Sequence, residues 1–102
     1  MQVLEMAEKV LAQRPGDLRS MANRYFAADM LYSLANRRND DVQAEVYARR
    51  SKEAGESYVL FQPTDLRVWG YVVNGIEEIS DVQLDRGQVA AAIATRRELN
   101  TL

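Results

Sequence analysis

The apolar positions of this chain recur at helical rather than strand spacing, in five runs separated by short polar or turn-forming breaks. Val3, Ala7 and Val10 share one stripe with Leu4 and Leu11 beside it, which predicts a helix from Met1 to about Gln13. Pro15-Gly16-Asp17 stops that helix and supplies an N-cap for the next. From about Asp17 to Arg38 the stripe is Leu18, Met21, Ala22, Tyr25, Ala28 and Tyr32, widened by Ala27, Leu31 and Leu34, a breadth that suits packing on two sides. Asn39-Asp40-Asp41 closes this helix and caps a third, about Asp41 to Gln62, where Ala44, Ala48, Ser51, Gly55 and Tyr58 fall at helical spacing. The first four are small, so a neighbouring backbone can come close. Gly55 costs about 1 kcal/mol against alanine and therefore marks packing or a bend. Val46, Val59, Leu60 and Phe61 are expected to add core contacts. The fourth helix, Asp65 to about Asp85, carries Leu66, Trp69, Val72, Val73, Ile76 and Ile79 on one face and Arg67, Tyr71, Asn74 and Glu78 on another. After Arg86-Gly87-Gln88 a fifth helix, about Gln88 to Asn100, has Val89, Ala92, Ile93 and Leu99 available for burial. Five antiparallel helices with short connections are the simplest arrangement.

The breaks repeat. Pro15-Gly16-Asp17-Leu18-Arg19 returns 48 residues later as Pro63-Thr64-Asp65-Leu66-Arg67. Laid over each other, residues 15–54 and 63–102 also match at Arg38/Arg86, Ala44/Ala92 and Arg49/Arg97, and Asn39 falls on Gly87, both types that end helices. The expected organisation is one helical domain over 1–102, with 1–14 the second half of a preceding repeat and 15–62 and 63–102 two further repeats. The expected fold is an all-α stack of antiparallel helix pairs, a short α-solenoid; the alternative is a closed four- or five-helix bundle.

Composition narrows the function. Cysteine and histidine are both absent, which removes disulfides, thiolate nucleophiles, the usual zinc ligands and the commonest proton shuttle. The sequence contains neither a Gly-rich phosphate loop nor a Gly-x-Ser-x-Gly elbow. Asp40-Asp41 and Glu77-Glu78 read as a cap and a solvated helix face. We therefore expect no catalytic residue, metal or cofactor. Net charge is −2, and the arginine pairs 37–38, 49–50 and 96–97 are interspersed with acids, Glu45 standing four residues before Arg49, so nucleic acid is not an expected partner. No apolar run approaches a membrane span, and the acidic start is unlike a signal peptide, so a cytoplasmic location is expected.

Trp69 near the start of one helix, Ala44 and Ala92 early in the helices that follow, and Pro15 and Pro63 as closers together resemble the tetratricopeptide repeat. Residues Pro63 to Leu99 look most like it. Ile79 to Ala92 is similar to the helix–Gly–helix junction of longer-helix repeats in multidomain bacterial proteins. The pattern departs at Val72-Val73 and Ile76, where Leu-Gly and Tyr are usual, and at Ala48 and Arg96, where large aromatics are usual. The spacing of 48 rather than about 34 leaves roughly two extra turns per helix.

The resemblance implies a non-catalytic scaffold that binds a peptide or protein on a concave face lined by the first helix of each pair. On this chain that face would comprise Arg19, Asn23, Phe26 and Met30 from the second helix, and Arg67, Tyr71, Asn74 and Glu78 from the fourth. Arginine can grip a carboxylate through two hydrogen bonds, asparagine can pair with peptide backbone, and Phe26 and Tyr71 can anchor apolar groups. The alternative is a structural self-association segment of a larger bacterial signalling or regulatory protein. Repeat stacks bury each unit against its neighbours, so the chain is expected to be cut from a longer protein or to complete itself as a homo-oligomer. Val89, Ile93, Leu99 and Leu102 would then form the exposed end.

Overall fold

Each break in the sequence becomes a capped helix end. In the computed structural model, which describes residues Gln2–Leu102, the elements are α1 (Gln2–Gln13), α2 (Leu18–Arg37), α3 (Asp41–Phe61), α4 (Leu66–Asp85) and α5 (Val89–Arg97), followed by a 3-10 segment, Glu98–Thr101. Met1, where the first helix was expected to begin, lies outside the described residues. Asp17 and Asp65 cap α2 and α4, their carboxylates accepting from Ser20 N at 3.4 Å and Arg67 N at 3.0 Å. Asp40 does the same for α3 through Gln43 N at 3.1 Å.

The 48-residue repeat is present in the backbone. α2 and α4 have the same length, start and end 48 residues apart, and hand over to α3 and α5 at positions 41 and 89. Both end in the same turn. Asp40 N donates to Ala35 O at 3.0 Å and Gln88 N to Gln83 O at 2.8 Å, while Asn39 and Gly87 take φ of 58° and 75°. That geometry is the Schellman closure, which needs a left-handed residue just past the helix.

Packing follows chain order. α1 lies on α2, α3 on both α2 and α4, and α5 on α4, with α2 and α4 meeting along a narrow strip. The result is a slab of 40 × 31 × 18 Å. One core group joins Met21, Tyr58, Val59, Val68, Val72 and Ile76, with Leu11, Trp69 and Leu99 against it; a second joins Tyr32, Ala35, Ala44, Ala48, Ile79 and Val82. Small residues bring α3 and α4 together. A Cβ on Gly55 would stand 3.1 Å from Val72 N, and one on Gly75 only 2.7 Å from Lys52 Cα. Gly55 therefore marks close packing.

Several apolar positions expected inside are outside. Val46, Leu60 and Phe61 are exposed and only Val59 of that group is buried; Leu18 and Leu66 are exposed as well. Their stripes are wider than the faces the neighbouring helices cover. Trp69 is only partly buried, resting on the first core group, with its Nε1 donating to Pro63 O at 2.8 Å. Among the described residues no helix is long and apolar enough to cross a membrane.

Candidate interaction surface

The candidate residues divide into a seam that is closed and a cleft that is open. In the seam, Tyr71 of α4 stacks on Tyr25 of α2 with ring centroids 4.1 Å apart, and Phe26 meets Tyr71 edge-on at 5.4 Å. One turn further along α4, Asn74 Nδ2 donates to Tyr25 OH at 2.8 Å, to Asp29 Oδ1 at 3.2 Å and to Glu78 Oε2 at 3.2 Å. A single amide thus ties α2 to α4 and holds two carboxyl groups close together.

Glu78 is 7 % exposed, so it belongs to the interior and not to a surface met by a partner. Burial chiefly, and then a hydrogen bond to Asp29 and the charge of that carboxylate, push its pKa up to about 9. Ser51 and Asn74 favour the anion, but Ser51 Oγ and Glu78 Oε1 fall outside hydrogen-bond geometry with any partner. At neutral pH the raised value leaves Glu78 a neutral acid. Burial likewise lifts the Tyr25 hydroxyl to about 12, against the lowering effect of its bond from Asn74. The solvated-face reading of Glu78 is therefore corrected: α2 covers it. This seam holds helices together, and among the described residues no three carboxylates gather as a metal site would need.

Phe26 also borders an open cleft, together with the other α2 candidates Asn23 and Met30. Asn23, Phe26 and Met30, with Val3, Ala27 and Leu31, line a shallow cleft of about 190 Å³ between α1 and α2. Phe26 is 49 % exposed, Met30 65 %, Val3 59 % and the adjacent Met6 65 %. This is a contiguous apolar patch of the kind that soluble chains usually cover. Arg19 and Arg67 are both exposed in the first turns of their helices, and Arg67 pairs with its own cap, Asp65, at 3.4 Å. Of the four residues expected at the exposed end, Val89, Ile93 and Leu102 are exposed, whereas Leu99 packs on the first core group.

Sequence reading missed Val3 and Met6 as surface residues, since Val3 sits on a stripe that looks buried. Asp29, among the alanines of α2, is partnered by Asn74. Three of the six arginines in these pairs are held by acids: Arg49 by Glu45, Arg50 by Glu8 and Arg96 by Asp81. Compared with known proteins, the chain matches no protein-family model, no curated protein and no solved structure at a significant level.

Proposed function

We propose that this chain is a non-catalytic protein-interaction scaffold of tetratricopeptide-like repeats, whose partner is a peptide or protein segment received on the α1–α2 side. The open apolar cleft lined by Phe26, Met30 and Val3 carries this reading. Repeated helix pairs 48 residues apart, packed in chain order in a slab 18 Å thick, support a short solenoid over a closed bundle. The groove anticipated between α2 and α4 is reduced to its α2 half, because Tyr71, Asn74 and Glu78 are engaged by Tyr25 and Asp29. Selection from a displayed random-peptide library tests the reading, with counter-selection on the Met30→Glu variant. Enrichment of sequences that bind the native chain and not the variant supports it. A library that yields only binders indifferent to Met30 rejects it.

A second reading, self-association within a larger signalling or regulatory protein, is favoured by the exposed pair Val89 and Ile93, one turn apart on α5. Light scattering over a hundredfold concentration range tests it. A constant monomer mass rejects it, and a rise reversed by Ile93→Glu supports it.

A further inference from the structure

The internal repeat lets one end of the molecule be read from its middle. In the middle, α2 lies in a slot between α3 and α4. On α3, Ser51, Ala54 and Tyr58 form a buried stripe at helical spacing, and Tyr58 packs in one core group with Met21 of α2. On α4 the facing residues are Tyr71, Asn74 and Glu78, covered by Tyr25 and Asp29 of α2. Subtracting 48 from each number gives Val3, Met6 and Val10 on α1 and Asn23, Phe26 and Met30 on α2. Those six residues surround the open side of the α1–α2 pair, and four of the five cleft-facing apolar ones are the exposed Val3, Met6, Phe26 and Met30. The other stripe of α1 obeys the same rule. Leu4 and Ala7, buried against α2, correspond to Lys52 and Gly55, which face α4.

We propose that the cleft is the vacant counterpart of the α2 slot, and that it receives an amphipathic α-helix of another protein, lying antiparallel to α1 and alongside α2. This rests on the interaction-scaffold reading and specifies its ligand. α2 shows what such a helix presents. Numbering its first inserted residue i, as Met21 is in α2, the helix meets the two walls at i, i+4, i+7 and i+8, the places of Met21, Tyr25, Ala28 and Asp29. In the filled slot the i+8 place is polar because Asn74 faces it. In the open slot Phe26 stands where Asn74 does and Met30 where Glu78 does, so the incoming i+4 and i+8 residues are apolar. Arg24, at i+3, reaches Ser57 Oγ at 3.4 Å in the filled slot. The counterpart of Ser57 is Lys9, exposed on α1, so the incoming i+3 residue is acidic.

A second copy of this chain does not offer that pattern. Outside the cleft, the exposed large apolar residues on its helices reach no further than pairs one turn apart, Val42 with Val46 and Val89 with Ile93, among the described residues. The inserted helix is one of two to ~3 turns, i to i+8, facing the α1 wall that runs from Val3 to Val10.

The test uses a labelled 16-residue peptide with leucine at i, i+4, i+7 and i+8, glutamate at i+3, and alanine and glutamine elsewhere, titrated into the full chain by fluorescence anisotropy. Saturable binding is expected, weakened at least tenfold by Met6→Glu or Met30→Glu. Both positions are exposed, and an unchanged melting curve confirms that each variant is folded. Lys9→Glu should weaken the glutamate peptide and be rescued by a peptide with lysine at i+3. The absence of binding, or binding indifferent to Met6 and Met30, overturns the proposal. A version broken by proline at i+5 that binds equally well, yet still depends on Met30, overturns the helical ligand while leaving the interaction surface standing. A doubling of mass in sedimentation that Met30→Glu abolishes assigns the cleft to a second copy and also overturns it.

Discussion

Replacing Glu78 with glutamine should remove most of the pH dependence of folding between pH 5 and 9. Folded Glu78 keeps its proton to about pH 9, whereas the ordinary value is 4.5. The folded state therefore binds the proton more tightly than the unfolded chain. The stabilisation this provides is complete below about 4.5, declines as pH rises, and is lost above about 9. In that window the slope approaches ~1.4 kcal/mol per pH unit, so raising the pH from 6 to 8 costs up to about 3 kcal/mol. Water entering around an ionised Glu78 makes that a ceiling, but even half of it is a large share of the 5 to ~15 kcal/mol typical of a folded domain. Glutamine keeps the shape, accepts from Asn74 through its carbonyl and has no proton to lose. Urea denaturation of both proteins at half-unit pH intervals measures the difference, with the m-value checking that the transition is unchanged. A native midpoint that falls from pH 6 to 8 beside a flat midpoint for Glu78→Gln is the expected result. A native profile that is level over that range, or a slope that persists in the variant, refutes the reasoning, because no proton would then be held at Glu78.

Three further outcomes follow from the backbone. Gly75→Ala places a Cβ 2.7 Å from Lys52 Cα and forces α3 and α4 apart, so thermal unfolding should register a loss of about 2 kcal/mol, and Gly55→Ala a smaller one. Asn39 sits at φ 58° where Gly87 occupies the equivalent turn, so Asn39→Gly should be close to neutral in denaturant titrations while Asn39→Ala costs about 1 kcal/mol. Gln88 stands where Asp40 caps α3 but makes no side-chain cap of its own; Gln88→Asp should raise the melting temperature by the equivalent of about 1 kcal/mol.

The sequence made the helices and their limits legible because proline, asparagine and glycine act locally. The expected breaks at 14–17, 39–40, 63–64 and 86–88 fall within a residue or two of the observed ones. What periodicity does not carry is the number of neighbours a helix has. Leu66 and Leu60 lie on stripes that look internal, yet no neighbour covers them. Glu78 shows the converse: on α4 alone it reads as solvated, and only the approach of α2 buries it. A signal for Glu78 was available in the repeat, where Phe26 stands against Asn74 and Met30 against Glu78. Such exchanges of apolar for polar at equivalent places mark positions whose surroundings differ. Gly75, aligned with Ala27, passed unnoticed because one glycine in a helix gives no direction of approach.

α3 is the element every other part of the molecule leans on. It is flanked by α2 and α4, reaches α1 through Arg50 and Glu8 at 2.6 Å, reaches the closing 3-10 segment through Lys52 and Glu98 at 3.3 Å, and holds the end of α4 through Glu45 and Arg86 at 2.9 Å. α1 and α5 each rest on a single helix. Protection from amide exchange should accordingly form a gradient, with the outer helices opening by local fraying and α3 exchanging only when the whole chain unfolds. A helix captured at the α1 side would then do more than occupy a surface: it would slow the fraying of α1 and carry the well-protected zone outward by one element.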